Sequence, residues 1–471
     1  MGDHSPLKAI LLPRTGKLKL CLLGLGFLFF VPACASAPPN VQPQVNSLIV
    51  ANKAEKALAM MDSIKDAYGK NNELLFDLDK ALVLHLAKNY TDSIQFFEKA
   101  KSKFDELYTQ SISQGVATWV INDYSAPYHG EDFEHVLVNI FQALNYTALN
   151  NLSEALVEAR QVDLKLSLID SQYPPQQKNV YKEDAFARLL MGILYEANGT
   201  PEDYNDAFIS YKKAEEIYRE DYSQNYHVDV PLILKENILA AAQWMGQNDF
   251  AEYHARYPDV PLVRIADKKK KGQIYLIQYN GLAAIKTQYS LPIPLPGGII
   301  TRLAFPAYHE RFCETKTSKF SAKDLKGGRL VHHDDMGAES EIAEDISRIG
   351  IQNLENRKLR VLAKAIARPI GKYVVEHTGE QMIQKRYGDN SAVGFQIAAS
   401  LFNLYSEQAD LRSWQTLPAE IRVTRLMLDP GEYELSLDNF DQDHVPVDRL
   451  NLGKMTIATG DVKFLIVRTV R

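Results

Sequence analysis

The sequence predicts an α+β protein of several domains, in which an irregular α-helical solenoid precedes a small β-sandwich-like domain with inserted helices. Apolar residues recur at helical spacing over residues 47–262, whereas short β-branched and aromatic runs bounded by Gly and Pro mark residues 263–471. Residues 34–260 contain 19 Lys and Arg against 33 Asp and Glu, and residues 261–471 contain 30 against 25. This change of charge indicates two modules with different partners, and neither has the basic and aromatic surface typical of nucleic-acid binding.

The amino terminus has the pattern of a secretion signal. Basic residues precede a nearly continuous apolar run at residues 20–33. A helix of that length rises about 21 Å, which is shorter than the roughly 30 Å hydrocarbon core of a bilayer. Residues 1–33 are therefore predicted to be a signal peptide and not a permanent membrane span.

Cys34 ends this apolar run, and the letters VPAC at residues 31–34 resemble a bacterial lipobox. The resemblance implies cleavage before Cys34 and acylation of that residue, so that several acyl chains hold the protein on a membrane. Ala35 in the next position implies, by the pattern of Gram-negative lipoproteins, the periplasmic side of the outer membrane. Residues 34–46 are rich in proline and are predicted to be an extended tether. The alternative is an ordinary signal peptide cleaved after Ala35 or Ala37.

The other cysteines indicate no intrachain disulfide. Cys21 leaves with the signal peptide, and Cys313 has no partner thiol in an oxidising compartment. His309 lies four residues before Cys313, but this spacing alone is weak evidence for a catalytic pair. We expect Cys313 to be a buried thiol.

Three segments of the first half repeat one pattern of large and small residues: residues 89–100, 151–162 and 203–214. In each, a small residue follows a large one by three positions, as Ser93 follows Tyr90, Ala155 follows Leu152 and Ala207 follows Tyr204. Further helices are predicted at residues 74–88, 135–149 and 184–198, and a degenerate fourth copy covers residues 238–257.

This pattern resembles tetratricopeptide repeats, which implies a concave surface that binds a partner protein or peptide. The three copies begin 62 and then 52 residues apart, and residues 123–134 form a long insertion, so the array is irregular. A generic helical bundle is the alternative.

Strands are predicted at residues 273–281 and 298–306 and four times within residues 417–470. The last four resemble a PEGA-type β module, named for a turn that here reads PGEY at residues 430–433. A module of about 55 residues has a marginal core on its own. The strands near Gln273 and Ile300 are therefore expected to pair with it and complete one discontinuous β domain.

Between these strands the sequence predicts one extended crossing and one helical insertion. Residues 291–298 alternate with proline and cannot form a helix. Residues 342–408 regain helical periodicity, and within them residues 392–405 are apolar on nearly every face. That stretch is predicted to be a buried core helix, with a membrane-dipping hairpin as the alternative.

The chain as a whole resembles an uncharacterised family of bacterial envelope lipoproteins. The resemblance rests on the lipobox, the irregular helices, the segments IYLIQYNGLAAIK and LPIPLPGG with IITRLAFPAY, and above all residues 409–433. The resemblance covers the whole chain after the signal peptide. It implies the architecture given above, and no enzymatic activity is established for that family.

Few residues indicate chemistry. His332, His333, Asp334 and Asp335 form one local cluster, but neighbours on an extended segment point to opposite faces and leave at most two ligands for one ion. Glu339, Glu341, Glu344 and Asp345 could act in acid–base chemistry, although they more simply precede a helix and favour its positive N-terminus. The lysines at residues 268–271 are predicted to be a solvated linker.

Asp410, Arg412 and Trp414 are the candidate binding residues. Arg412 could hold a carboxylate or phosphate, and Trp414 could stack on a ring. The structural alternative is that Arg412 pairs with Asp410 or Glu420, while Trp414 fills the joint between helix and sheet.

The sequence therefore predicts a non-enzymatic, lipid-anchored envelope protein that needs no cofactor and uses its helical repeats to bind an envelope partner. A periplasmic enzyme that acts on cell-wall glycan through a carboxylate site in the C-terminal half is the first alternative. A subunit of an export complex, joined through the proline-rich β segment and the apolar stretch at residues 392–405, is the second.

Overall fold

The computed structural model describes residues 41–113, 126–171, 181–295, 299–325, 336–358 and 408–470, and six isolated positions between 359 and 407. The predicted signal peptide, Cys34, the cluster at residues 332–335 and the apolar stretch at residues 392–405 lie outside the described residues. From Val41 onward the described residues belong to one compact unit. The predicted boundary between residues 262 and 263 thus marks a change from helix to strand inside one body.

Among the described residues, helices run through residues 41–268, and a further helix follows the first strands at residues 346–356. Their bounds are α1 (Val41–Val50), α2 (Ala54–Ser63), α3 (Lys65–Tyr68), α4 (Glu73–Leu86), α5 (Tyr90–Ser113), α6 (Asp132–Ala148), α7 (Leu152–Ser171), α8 (Ala185–Asn198), α9 (Pro201–Ile217), α10 (Ser223–Asn225), α11 (Leu232–Met245), α12 (Gln247–Arg256), α13 (Ile265–Lys268) and α14 (Ile346–Asn356). The helices predicted at residues 74–88, 135–149 and 184–198 are confirmed as α4, α6 and α8.

Local sequence explains where these helices begin and end. The Asp184 carboxylate accepts a hydrogen bond from Ala187 N and so caps α8, which ends at Gly199 in a left-handed conformation with φ of 80°. The next residue, Thr200, forms a capping box with Asp203 and opens α9. One short turn therefore reverses the chain between two packed helices.

Consecutive helices pack in pairs: α4 with α5, α6 with α7, α8 with α9, and α11 with α12. Small residues permit the close approach that the sequence predicts. A Cβ atom on Gly192 would lie 2.3 Å from the Tyr211 ring of the partner helix. Similarly, buried Ser93 donates from its hydroxyl to Ala81 O at 2.8 Å. We call α4, α6, α8 and α11 the inner helices and α5, α7, α9 and α12 the outer helices.

The predicted tether is too long at its C-terminal end. Residues Val41–Val50 form α1 and not an extended segment. Gln42, Val45 and Asn46 are buried, and the Gln42 side chain donates to Asp79 Oδ2 at 2.8 Å. The prolines mislead here because Pro43 lies within the first turn, where a proline costs no helical hydrogen bond.

The described residues after α13 include ten strands. Their bounds are β1 (Gly272–Asn280), β2 (Ile285–Leu295), β3 (Ile299–His309), β4 (Thr317–Asp324), β5 (Met336–Glu339), β6 (Glu341–Asp345), β7 (Glu420–Leu428), β8 (Gly431–Phe440), β9 (Pro446–Ile457) and β10 (Val462–Thr469). The first sheet has the order β10-β1-β7-β6, the second sheet has the order β5-β4-β8-β9, and β2 with β3 forms a separate ribbon.

The predicted pairing is right for one strand and wrong for the other. Strand β1 lies parallel to β10 and antiparallel to β7, so it completes the C-terminal module as expected. In contrast, the strand near Ile300 is β3, and among the described strands it pairs only with β2. The predicted crossing at residues 291–298 is strand as far as Leu295. Residues 342–345 belong to β6, so the described helix of the insertion begins at Ile346.

The first sheet is covered on both faces. Ile274 and Leu276 of β1 face the second sheet and share its core with Phe320, Leu435 and Leu437. The alternate residues Tyr275, Ile277 and Tyr279 belong to the core of the helices. Because successive side chains of a strand point to opposite faces, β1 joins two cores, and each of its nine residues is buried.

The lysines at residues 268–271 are not a uniformly solvated linker. Lys268 is buried at the end of α13, where its Nζ donates to Glu196 Oε1 at 2.7 Å and to Asn237 Oδ1 at 2.8 Å. Burial lowers the pKa of Lys268 to about 8. The neighbouring Lys269 and Lys270 are exposed, so the prediction holds for them and fails for Lys268.

Candidate functional site

The predicted binding residues lie in a segment that runs between the helices and the ribbon; we call residues 409–417 the junction segment. Arg412 is buried, and its guanidinium donates to Asp410 at 2.8 and 2.9 Å. It also donates to Asn72 Oδ1 at 3.2 Å and to Ala126 O at 3.0 Å. Glu420 instead pairs with Arg422. These contacts agree with the structural alternative, because the protein's own acceptors surround the guanidinium.

Trp414 is buried among aromatic rings of the helices. Its ring lies 5.9 Å from Phe97 and 5.7 Å from Phe141, measured between centroids, and both pairs are edge-on. Its backbone N donates to Glu134 Oε1 at 2.8 Å. Trp414 therefore fixes the junction segment to α5 and α6, and in this arrangement its faces are not open to a ligand.

Glu134 and Asp79 hold the junction segment from the helical side. Glu134 accepts from Tyr128 OH at 2.5 Å as well as from Trp414 N. Asp79 accepts from Thr416 Oγ1 at 2.8 Å and from Tyr68 OH at 2.9 Å. Burial raises the pKa of Glu134 to about 7 and that of Asp79 to about 6, although the hydrogen bonds favour the charged forms.

A second set of contacts attaches the base of the ribbon to the same segment. Lys286 of β2 forms an ion pair with Glu131 and donates to Arg412 O at 3.1 Å. Arg357, which follows α14, pairs with the other oxygen of Glu131. Gln288 accepts from Ala409 N at 2.9 Å. Helices, junction segment and ribbon thus form one connected polar network.

The carboxylates that the enzymatic alternative requires have structural partners. Glu344 is buried and accepts from Tyr222 OH at 3.1 Å, and burial raises its pKa well above the usual value. Asp345 caps α14 by accepting from Arg348 N at 2.9 Å, as predicted for a carboxylate before a helix. Glu341 instead caps α11 through Leu232 N at 2.6 Å. Glu339 is exposed at the end of β5.

Cys313 and His309 do not form a pair. Cys313 is buried as expected, and its Sγ lies 3.6 Å from Asn280 Oδ1 and from Thr315 O. Burial raises the pKa of this thiol, which disfavours the reactive thiolate. His309 is exposed on β3, and its Nε2 lies 2.9 Å from Tyr289 OH.

An apolar pocket of about 260 Å³ opens between the ribbon and the end of α14. Tyr289 and Phe305 form its ribbon side, with ring centroids 5.9 Å apart and an interplanar angle of 15°. Leu354 and Val361 line the opposite side, and the ion pair of Glu355 with Lys358 lies at its edge. The pocket can bind an apolar group, and apart from the ion pair at its edge its described lining carries no carboxylate, imidazole or amino group.

An exposed apolar stripe on the outer helix α7 was missed by sequence reasoning. Val157, Leu164 and Leu168 are 44%, 64% and 45% exposed. Spacings of seven and four residues place them on one side of the helix. The sequence did contain a sign of this stripe, because α7 has more apolar residues than its buried face needs. That buried face includes Ala155, Ala159, Val162, Leu166 and Ile169.

Other classes of site are not seen among the described residues. No group of three His, Cys, Asp or Glu side chains in that part of the chain lies close enough to bind one metal ion. Within the same residues, none of the helices has the length and apolarity needed to cross a bilayer.

No protein-family model matches the chain, and a comparison with curated proteins gives no similar sequence. The resemblances to tetratricopeptide repeats, to the PEGA module and to envelope lipoproteins therefore stay predictions.

The raised pKa of Glu134 predicts a pH-dependent difference between the wild type and Glu134→Gln. A carboxyl group whose pKa is raised by folding stabilises the protein fully below its unfolded pKa, and this contribution is lost as pH rises through about 7. Glutamine does not titrate. Between pH 5 and pH 7 the free energy of unfolding of Glu134→Gln should therefore increase relative to wild type by about 1 kcal/mol per pH unit.

Urea unfolding of both proteins over that pH range measures this difference. Titration of other groups affects both proteins and cancels in the comparison. A difference that stays constant with pH would show that Glu134 keeps an ordinary pKa and that the junction segment is not closed around it.

Proposed function

We propose that this protein is a non-enzymatic, lipid-anchored envelope protein of the periplasmic face of the outer membrane, and that it serves as a scaffold for an envelope partner protein. The lipobox-like sequence at Cys34 supports the anchor. The exposed apolar stripe on α7, formed by Val157, Leu164 and Leu168, supports the scaffold role and is the observation on which the proposal depends.

The arrangement of the helices favours the outer surface as the partner site. The inner helices, which would line the concave side of a tetratricopeptide-like array, pack against the protein's own first sheet: α6 contacts β10, α8 contacts β6 and α11 contacts β7. An incoming peptide would have to displace that sheet. Among the described strands, none packs against an outer helix to a comparable extent.

The stripe on α7 differs from the corresponding surface of its neighbours. On α9 the exposed residues Asn205 and Lys212 and the half-buried Glu216 are polar, and exposed Ile209 is the apolar exception. An apolar stripe at helical spacing is suited to an amphipathic helix of a partner, which would place its own apolar side against it. Lys165, paired with Asp105, borders the stripe and can add polar contacts at the rim.

The enzymatic alternative receives no support from the site. Glu344 is buried against Tyr222, Asp345 is used as a helix cap, and the described lining of the apolar pocket at the ribbon includes no catalytic pair. General acid–base catalysis needs a group within hydrogen-bond reach of a bound substrate. We therefore retain the scaffold as the proposed function.

The anchor can be tested by acyl labelling of the wild type and Cys34→Ala in a Gram-negative host. The wild type should incorporate labelled fatty acid and fractionate with outer membranes, because several acyl chains bind a bilayer stably. Cys34→Ala should lose the label and leave that fraction. Equal labelling of the two proteins, or labelling of neither, would contradict the anchor.

The partner surface can be tested by crosslinking in the envelope followed by purification. Leu164→Asp should reduce recovery of the principal crosslinked protein at least about tenfold, because a charge at the centre of an apolar interface is left unpaired on binding. Ile209→Asp is the matched control, since Ile209 is 53% exposed on the neighbouring outer helix α9. Equal recovery with Leu164→Asp and with Ile209→Asp would contradict the assignment of the site to α7.

A further inference from the structure

The first sheet has an edge strand that stays partly exposed along its length. Strand β10 lies at the end of the order β10-β1-β7-β6 and pairs, among the described strands, only with β1. Its residues from Val462 to Arg468 are half-buried, whereas each residue of β1 beside it is buried. An edge strand presents a row of N–H and C=O groups to which another strand can bind.

The hydrogen bonds at the two ends of β10 show which of its backbone groups point outward. Asp461 O accepts from Gln273 N at 2.8 Å, and Thr469 O accepts from Gly281 N at 2.8 Å. Because successive residues of a strand alternate between its two sides, the odd-numbered residues of β10 face β1. The outward N–H and C=O groups belong to Val462, Phe464, Ile466 and Arg468. Within the described residues, none of these four takes part in a backbone hydrogen bond outside the sheet.

The other described edges of the two sheets have features that hinder the addition of a strand. Strand β6 has five residues and a shift in its register with β7, and Tyr218 OH donates to its Ala343 O at 2.7 Å. Strand β5 has four residues, and β9 has two shifts in its register with β8 and carries the exposed residues Arg449 and Lys454. Short strands, bulges and charges on the edge are the usual protection. In contrast, β10 has eight residues, no proline or glycine, and a continuous register with β1.

The side chains of β10 indicate what kind of strand would bind there, because they are apolar on both faces of the sheet. Phe464 and Ile466 pack against the core of the helices, and Leu465 and Val467 pack against the core between the two sheets. An added strand would extend both cores, so it must be apolar on both of its faces. A strand of that kind is covered on both faces in its own protein. A second copy of β10 meets this requirement, since helices and the second sheet cover it.

Two β10 strands are also complementary to each other in one antiparallel register. If Leu465 lies opposite Leu465 of the second copy, then Phe464 lies opposite Ile466, and the first outward residue of each strand lies opposite the last of the other. Each outward residue then exchanges two hydrogen bonds with its counterpart, so that every outward N–H and C=O group has a partner. Lys463 lies opposite Val467, so no charged side chain faces another. A shift of two residues would leave outward groups unpaired at both ends.

We propose that two copies of this protein associate through their β10 strands, which pair antiparallel about a twofold axis at Leu465 and join the two first sheets into one. The same surface is used by both copies, so the association closes at a dimer. The inference goes beyond the proposed scaffold function, because β10 is not part of the stripe on α7 and the pairing does not depend on the lipid anchor. One pair of strands is a small interface, and we expect a dimer that dissociates readily.

Disulfide crosslinking of cysteine variants of the full protein tests both the pairing and its register. In the proposed register Leu465→Cys lies opposite itself in a pair without mutual hydrogen bonds, where Cα atoms are about 4.5 Å apart and a disulfide can form. Lys463→Cys lies opposite Val467→Cys of the other copy and not opposite itself. Thr456→Cys is the matched control, because Thr456 is exposed on β9, the edge strand with bulges. Cys313 is buried, and the unsubstituted chain gives the background.

The proposal predicts that mild oxidation converts Leu465→Cys to a covalent dimer at least about fivefold more than Thr456→Cys or Lys463→Cys alone. A mixture of Lys463→Cys and Val467→Cys should form the mixed dimer. Equal crosslinking of Leu465→Cys and Thr456→Cys would overturn the proposal. Crosslinking of Leu465→Cys to a different protein, without the covalent dimer, would also overturn it and would assign the edge to a strand of another partner.

A proline at an outward position gives a second test of the pairing. The N–H of Ile466 points away from β1, so Ile466→Pro removes no hydrogen bond of the ladder with β1 but removes two from the proposed dimer. Added to Leu465→Cys, this change should reduce the crosslink to the level of Thr456→Cys, while circular dichroism shows the protein still folded. A crosslink that persists undiminished in the double variant would contradict pairing through the outward groups of β10.

Discussion

The packing of the first sheet against the inner helices is the contact on which the rest of the structure depends. Strand β1 supplies Tyr275, Ile277 and Tyr279 to the core of the helices, and its alternate residues supply the core between the two sheets. A four-stranded module alone would have a marginal core. A sheet that is buried on both faces stabilises the helical half and the sandwich together, so neither has to be stable by itself.

Polar pairs across this contact fix the relative position of the two halves. His85 of α4 lies 2.9 Å from Tyr279 OH, and Arg425 of β7 donates to Glu236 of α11 at 2.7 Å. Burial lowers the pKa of His85 to about 4, so the imidazole is neutral at ordinary pH. Buried pairs of this kind give little net stability, but a shift of the sheet along the helices would leave each of them unpaired. Because this sheet covers the inner helices, the partner site that we propose lies on the outer helices; the ribbon of β2 and β3 remains separate from both sheets.

Local sequence patterns predicted many of the helices and strands. They could not predict contacts between residues that lie far apart in the sequence. The helices at residues 74–88, 135–149 and 184–198 and the strands of residues 417–470 were found because their apolar periods are clear. Strands β4 and β5 were missed because polar residues dominate TSKFSAKD and MGAE. The roles of Lys268 and Arg412 depend on residues far away in sequence, Glu196 and Asn72. No spacing along the chain indicates those partners.

Hydrogen exchange of the amide groups in increasing urea tests the shared core most directly. It compares the opening of α6 (Asp132–Ala148) with that of β1 (Gly272–Asn280). If the two elements depend on one contact, their amides should exchange through a single opening with the same free energy and the same dependence on urea. The contrary result is that β1 amides exchange at a lower free energy of opening while α6 amides remain protected from exchange. The helices would then be stable without the sheet, and the two halves would not share one core.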